Sequence, residues 1–75
     1  MPRLPRVSGR RLIRALERAG FYRERMQGDH VFMYNPTTDQ TATGVDTPDT
    51  LSPGTIKSVL RQAGLSVEEL VVLLK

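Results

Sequence analysis

The sequence predicts a small α+β fold, a two-layer sandwich in the order α-β-β-β-α-α. Three observations carry that reading. Residues 8–19 are strongly amphipathic with helical spacing and stop at Gly20. Residues 21–45 change to short segments rich in aromatic and β-branched types, separated by turn residues. A second helical stretch follows Ser52 and stops at Gly64. A three-stranded antiparallel sheet needs one face covered, and two apolar helix stripes are available to cover it.

Each element has a local cause. Residues 1–7 carry Pro2 and Pro5 and read as an extended lead-in. Ser8 is a good N-cap, because its hydroxyl can accept from the first free backbone N–H groups. Leu12, Ile13, Ala15, Leu16 and Ala19 then share one side of the helix. Arg10, Arg11, Arg14, Glu17 and Arg18 share the other. Phe21 to Met26 reads as a first strand, Gln27-Gly28-Asp29 as a turn, and His30 to Tyr34 as a second strand. Val31 and Met33 alternate with His30, Phe32 and Tyr34, and both sets contain apolar residues, so the pattern leaves open which set meets the helices. Asn35 to Asp39 forms another turn. Gln40 to Val45 is a weak, Thr-rich third strand interrupted by Gly44, and Asp46 to Thr50 is a loop. Ser52 and Pro53 open the second helix, whose apolar side is Ile56, Val59, Leu60 and Ala63. Ser66 and Glu69 form a capping box that starts a short last helix.

The chain has 75 residues, enough for one domain over 1–75 and too few for two. It has one His and no Cys, which excludes disulfides, thiolate nucleophiles and multi-His metal sites within the chain. The net charge of +3 is unevenly spread. Residues 1–25 hold eight Arg and two Glu, whereas residues 26–75 hold Lys57, Arg61 and Lys75 against six acids. A segment this rich in Arg suits a polyanion or an acidic protein, and equally a solvated helix face. No stretch has the length of a membrane span or a signal peptide, so a soluble cytoplasmic protein is expected.

His30 is the one side chain of a type that ordinarily titrates near neutrality, and it stands at a hairpin corner. It is a candidate general acid or base, with Asp29 beside it to orient the ring; the alternative is an ordinary turn histidine. Arg10, Arg14 and Arg18 follow i, i+4, i+8 spacing and form a stripe about 12 Å long. Such a stripe can contact phosphates without reading bases. It can also be a solvated face with Arg14 spaced to pair Glu17. Phe21, Tyr22, Phe32 and Tyr34 can stack on bases or fill a core. Asp39, Asp46 and Asp49 have no metal-loop spacing, and no phosphate-binding glycine loop is present. No cofactor is expected.

Three segments together add a family. They are Leu4-Pro5-Arg6-Val7-Ser8-Gly9-Arg10 leading to Ala19-Gly20-Phe21, then Gly28-Asp29-His30, then Leu51-Ser52-Pro53-Gly54-Thr55-Ile56-Lys57 running on through Gln62-Ala63-Gly64-Leu65-Ser66. In order and spacing they resemble the HicA toxin family, over nearly the whole chain. The resemblance implies a double-stranded-RNA-binding-domain-like α-β-β-β-α fold, here with an extra short C-terminal helix. It implies a metal-independent endoribonuclease that cleaves mRNA and is silenced by a HicB-type antitoxin. It implies His30 as the catalytic residue, Gly28 as the glycine before it, and Gly54, Thr55, Ile56 and Lys57 as the helix motif.

Two positions depart from the family's pattern. Asp29 replaces a usual Ser, and a carboxylate there repels phosphate yet pairs with a charged imidazole. Residues 37–46 hold Asp39 and Asp46 where family members are usually basic. The expected RNA contacts are therefore Gly28, Arg10, Arg14, Arg23, Arg25 and Lys57. Arg23 and Arg25 stand on the strand preceding His30 and are suited to stabilising charge on the phosphate. The alternative reading is a non-catalytic RNA- or protein-binding module of the same fold, a degenerate toxin.

Overall fold

The computed structural model describes residues 3–75, so residues 1 and 2 of the predicted lead-in lie outside it. Its elements are α1 (Gly9–Arg18), β1 (Tyr22–Gln27), β2 (His30–Asn35), β3 (Gln40–Val45), α2 (Pro53–Ala63) and α3 (Val67–Leu73). The expected α+β order holds, with strand boundaries one residue from those expected for β1 and for the end of β2. The strands form one antiparallel sheet in the order β1-β2-β3.

The helix starts are built as the sequence requires. The Ser8 hydroxyl accepts from the Arg11 N–H at 3.2 Å, and the Ser52 hydroxyl accepts from the Thr55 N–H at 3.3 Å. Both capping-box bonds of α3 form, from Glu69 N–H to Ser66 Oγ and from Ser66 N–H to Glu69 Oε1, each at 3.0 Å. A cap of this kind stabilises a helix by about 1 kcal/mol.

One sheet face is buried. Val31 and Met33 of β2 and Ala42 of β3 join Leu12, Ile13 and Leu16 of α1 in the core. Ile56, Val59, Leu60 and Ala63 of α2, Leu70 of α3, and Val7, Ala15 and Phe21 complete it. This settles the face that the alternation left open: Val31 and Met33 enter the core, and His30, Phe32 and Tyr34 lie on the opposite face of the sheet. Of the four aromatics, Phe21 alone is fully buried. Asn35 is the one buried polar residue among those described. Its Nδ2 donates to the Ala19 carbonyl and its Oδ1 accepts from Thr37 N–H, which ties the end of α1 to the β2–β3 turn.

Close backbone approach fixes α1 against β3. A Cβ on Gly9 would collide with the Val45 carbonyl, and one on Gly44 would lie 2.9 Å from Ile13 Cγ1. The glycine that weakens β3 in the sequence is therefore the space into which α1 packs. The lead-in does more than precede the helix. Leu51 N–H donates to the Val7 carbonyl, and Ser8 and Thr50 form an antiparallel bridge. Among the described residues, no helix is long and apolar enough to cross a membrane.

Candidate nucleic-acid site on the open sheet face

His30 is the first residue of β2, placed by a two-residue hairpin turn. Gly28 has φ of +61°, the left-handed value that glycine adopts without strain. A positive φ at the first turn position is the type II′ pattern, whose twist matches that of the flanking strands. Gln27 then pairs with His30. The turn is held from behind. Asp46 N–H donates to the Asp29 carbonyl at 2.6 Å, and Asp46 Oδ1 accepts from Arg10 Nε at 3.0 Å. The first turn of α1 thereby braces the corner that carries the imidazole.

The His30 side chain is 59% exposed and its Nε2 lies 3.8 Å from Asp29 Oδ1. That separation allows charge attraction but is too long for a hydrogen bond. His30 lines a shallow groove of about 370 Å³. Thr43 and Val45 of β3 form its floor, and Gly54, Thr55, Ser58 and Gln62 of α2 form its far wall. Gln62 Oε1 accepts from Thr43 N–H at 2.9 Å, so α2 is fastened along the outer edge of β3. The first turn of α2 carries no acidic residue. Its N-terminal dipole end, beside three hydroxyl-bearing side chains, favours an anion in the groove.

The basic residues expected at the site are dispersed. Arg25 pairs with Phe32 and lies on the same open face as His30, its guanidinium carbon 4.5 Å from the centre of the Phe32 ring. Arg23 pairs with Met33 and so lies on the helix side of β1, with its Nε 3.9 Å from Glu17 Oε2. A bulge between them causes the difference. The register slips between Arg23 and Arg25, leaving Glu24 without a partner. In an unbroken strand, Tyr22, Glu24 and Met26 would share a face. The bulge instead groups Tyr22, Arg25 and Gln27 with Tyr34, Phe32 and His30.

The α1 stripe is spent largely inside the molecule. Arg10 is committed to Asp46, and Arg18 Nη1 donates to the Leu73 and Lys75 carbonyls at 2.7 and 2.9 Å. Arg14 lines a small recess with Arg11, Arg18, Leu73 and Leu74, away from His30. Glu17 faces Arg23, not Arg14. Lys57 is exposed on α2 and does not line the groove. Thr43, Ser58 and Gln62 were not legible as site residues. The signal available was the helical spacing of Thr55, Ser58 and Gln62, which puts three polar side chains on one side of α2. Among the described residues, no group of three or more His, Cys, Asp or Glu is placed to hold a metal ion.

Comparison with known proteins gives one family. The model of the HicA toxin of bacterial toxin-antitoxin pairs matches residues 9–65, from the start of α1 to the residue after the α2 cap. No curated protein matches the chain.

Proposed function

Because the chain belongs to the HicA toxin family, whose members are toxins of toxin–antitoxin pairs and generally mRNA-cleaving ribonucleases, we propose that His30 transfers a proton in metal-independent cleavage of mRNA. One observation carries this reading. The imidazole faces, across one groove, the N-terminal turn of α2 and the hydroxyl-bearing side chains of Thr43, Thr55 and Ser58. A phosphate held there lies within reach of a group that can give or take a proton.

The chemistry then follows from the substrate. The ribose 2′-oxygen attacks the adjacent phosphorus, its proton leaves to a base, and the bond from phosphorus to the 5′-oxygen breaks as that oxygen gains a proton. The products are a 2′,3′-cyclic phosphate and a 5′-hydroxyl. His30 serves one of the two proton transfers, which ordinarily contributes 10²–10⁴-fold. Arg25, on the same face, is the cation best placed to approach the phosphate, in preference to Arg23. Gly28 contributes through the turn it allows. The partner that silences the activity is a HicB-type antitoxin covering the His30 face.

His30→Ala should retain its circular-dichroism spectrum and lose at least about 100-fold in RNA cleavage, with growth arrest abolished. Chelators should leave wild-type cleavage unchanged, and RNA with 2′-deoxy sugars should resist it. Undiminished cleavage by the variant sinks the assignment.

A second reading rests on the charge of β3. Its six residues contain no cation, and Asp39 and Asp46 flank it. A chain with that edge can retain RNA without cleaving it. Wild-type protein that binds RNA and yields no product, with the same affinity in His30→Ala, would select this reading.

A further inference from the structure

The open sheet face carries three rungs beyond the helices. The first is Gln27, His30 and Val45; the second is Arg25, Phe32 and Thr43; the third is Tyr22, Tyr34 and Thr41. Successive rungs on one face are about 7 Å apart, twice the rise of a strand residue. The second and third rungs hold flat side chains in two preassembled units. Arg25 lies over Phe32, and the Tyr22 and Tyr34 rings meet edge to face with centroids 5.8 Å apart and planes at 88°. Tyr34 is fixed further, its hydroxyl donating to Asp39 Oδ1 at 2.8 Å. Tyr22 is 48% exposed, and among the described residues α2 approaches this face only along β3, at the His30 groove.

Such a face is expensive to leave bare and poorly suited to an apolar protein segment. Val45 is its one aliphatic residue, Thr41 and Thr43 bring hydroxyls, and the remainder are aromatic, cationic or amide groups. Nucleobases are the ligand that matches, because they are planar, stack on aromatic rings and on guanidinium planes, and reach such surfaces only when unpaired. Duplex RNA keeps its bases inside the helix and has nothing to offer this face.

We propose that the Arg25–Phe32 stack and the Tyr22–Tyr34 pair are two base-stacking subsites for single-stranded RNA, contiguous with the His30 groove. The inference rests on the ribonuclease reading for its ligand class and adds what positions the strand. A phosphate in the groove places the adjoining nucleotides over the second and third rungs. The acids nearby, Asp29 and Asp39, work against phosphate at the face, which makes stacking the dominant attraction here. Phe32, Tyr22 and Tyr34 position substrate and take no part in bond breaking, which stays with the groove at His30.

The chain has two Tyr and no Trp, and both tyrosines stand on the third rung, so its intrinsic fluorescence reports this face. The full chain is titrated with a 2′-O-methyl single-stranded RNA, which resists attack by the 2′-oxygen, and with the same strand made partly abasic at equal charge. The base-bearing strand should quench the tyrosine emission and bind at least about 5-fold more tightly than the abasic one. Phe32→Leu and Tyr34→Leu should each weaken the base-bearing strand by about 5- to 100-fold and leave abasic binding unchanged. A duplex of the same sequence should not quench. Equal affinity for abasic and base-bearing strands overturns the proposal, as does an undiminished base preference in the Phe32→Leu, Tyr34→Leu double variant. Base preference without cleavage of unmodified RNA would instead refute the ribonuclease reading and leave the stacking subsites standing.

Discussion

Tyr34 shows how a single turn residue sets the state of the open face. Asp39 adopts φ of 56°, a left-handed conformation that Asp and Asn tolerate better than other side chains. That bend brings its carboxylate to the Tyr34 hydroxyl. The phenol is pushed above its ordinary value of 10.0, first by this hydrogen bond, then by partial desolvation, then by the negative charge of Asp39. The folded chain therefore favours the neutral phenol. Its contribution to stability is complete below pH 10 and is lost as pH rises through the raised pKa. In a Tyr22→Phe background, phenolate absorbance should appear above pH 10. Asp39→Asn, which keeps the left-handed turn and removes the charge, should bring the midpoint back down. A midpoint unmoved by that substitution would show that the carboxylate is not the cause.

At the scale of elements, the bulge in β1 decides which arginine accompanies His30. Glu24 is the extra residue in the ladder, so its deletion should restore regular alternation without shifting any other pair. Deleting Glu24 is expected to cost less than about 1 kcal/mol, read as thermal denaturation, and to keep Arg25 on Phe32. Deleting Arg25 instead leaves Glu24 opposite Phe32, which keeps the ladder but removes the guanidinium from the ring, and should cost more. Equal losses in both variants would mean that the extra residue is itself structural. The bulge also explains what the sequence could and could not tell. Caps, glycine stops and apolar spacing are local, and they placed every helix and strand to within a residue or so. His30 was legible because a turn fixes it. The choice between Arg23 and Arg25 was not, because a slip of one residue reverses the faces and leaves no mark in composition. The wall of the groove was hidden for a different reason. Thr43 and Gln62 are 19 residues apart, and only the packing of α2 along β3 brings them together.

Across the whole molecule, three of the eight arginines in the N-terminal third are engaged within the chain. Arg10 braces the β3–α2 loop, Arg18 holds the carbonyls at the end of α3, and Arg23 faces Glu17. Exposed pairs like these contribute little individually and are screened by salt. Support for the sheet is equally lopsided. Both α1 and α2 pack chiefly on β3, whereas β1 is exposed at all six positions and rests mainly on β2. Amide hydrogen exchange should follow that gradient, fastest at the outer amides of β1 and slowest at Val31 and Met33. Uniform protection across the three strands would contradict it. The lopsidedness also gives the molecule an order of opening. When β1 peels away, β2 keeps its full ladder to β3, so the imidazole stays anchored while its neighbouring guanidinium departs. Fraying therefore acts on one flank of the groove alone, and a transiently opened copy keeps its histidine in register for immediate reclosure.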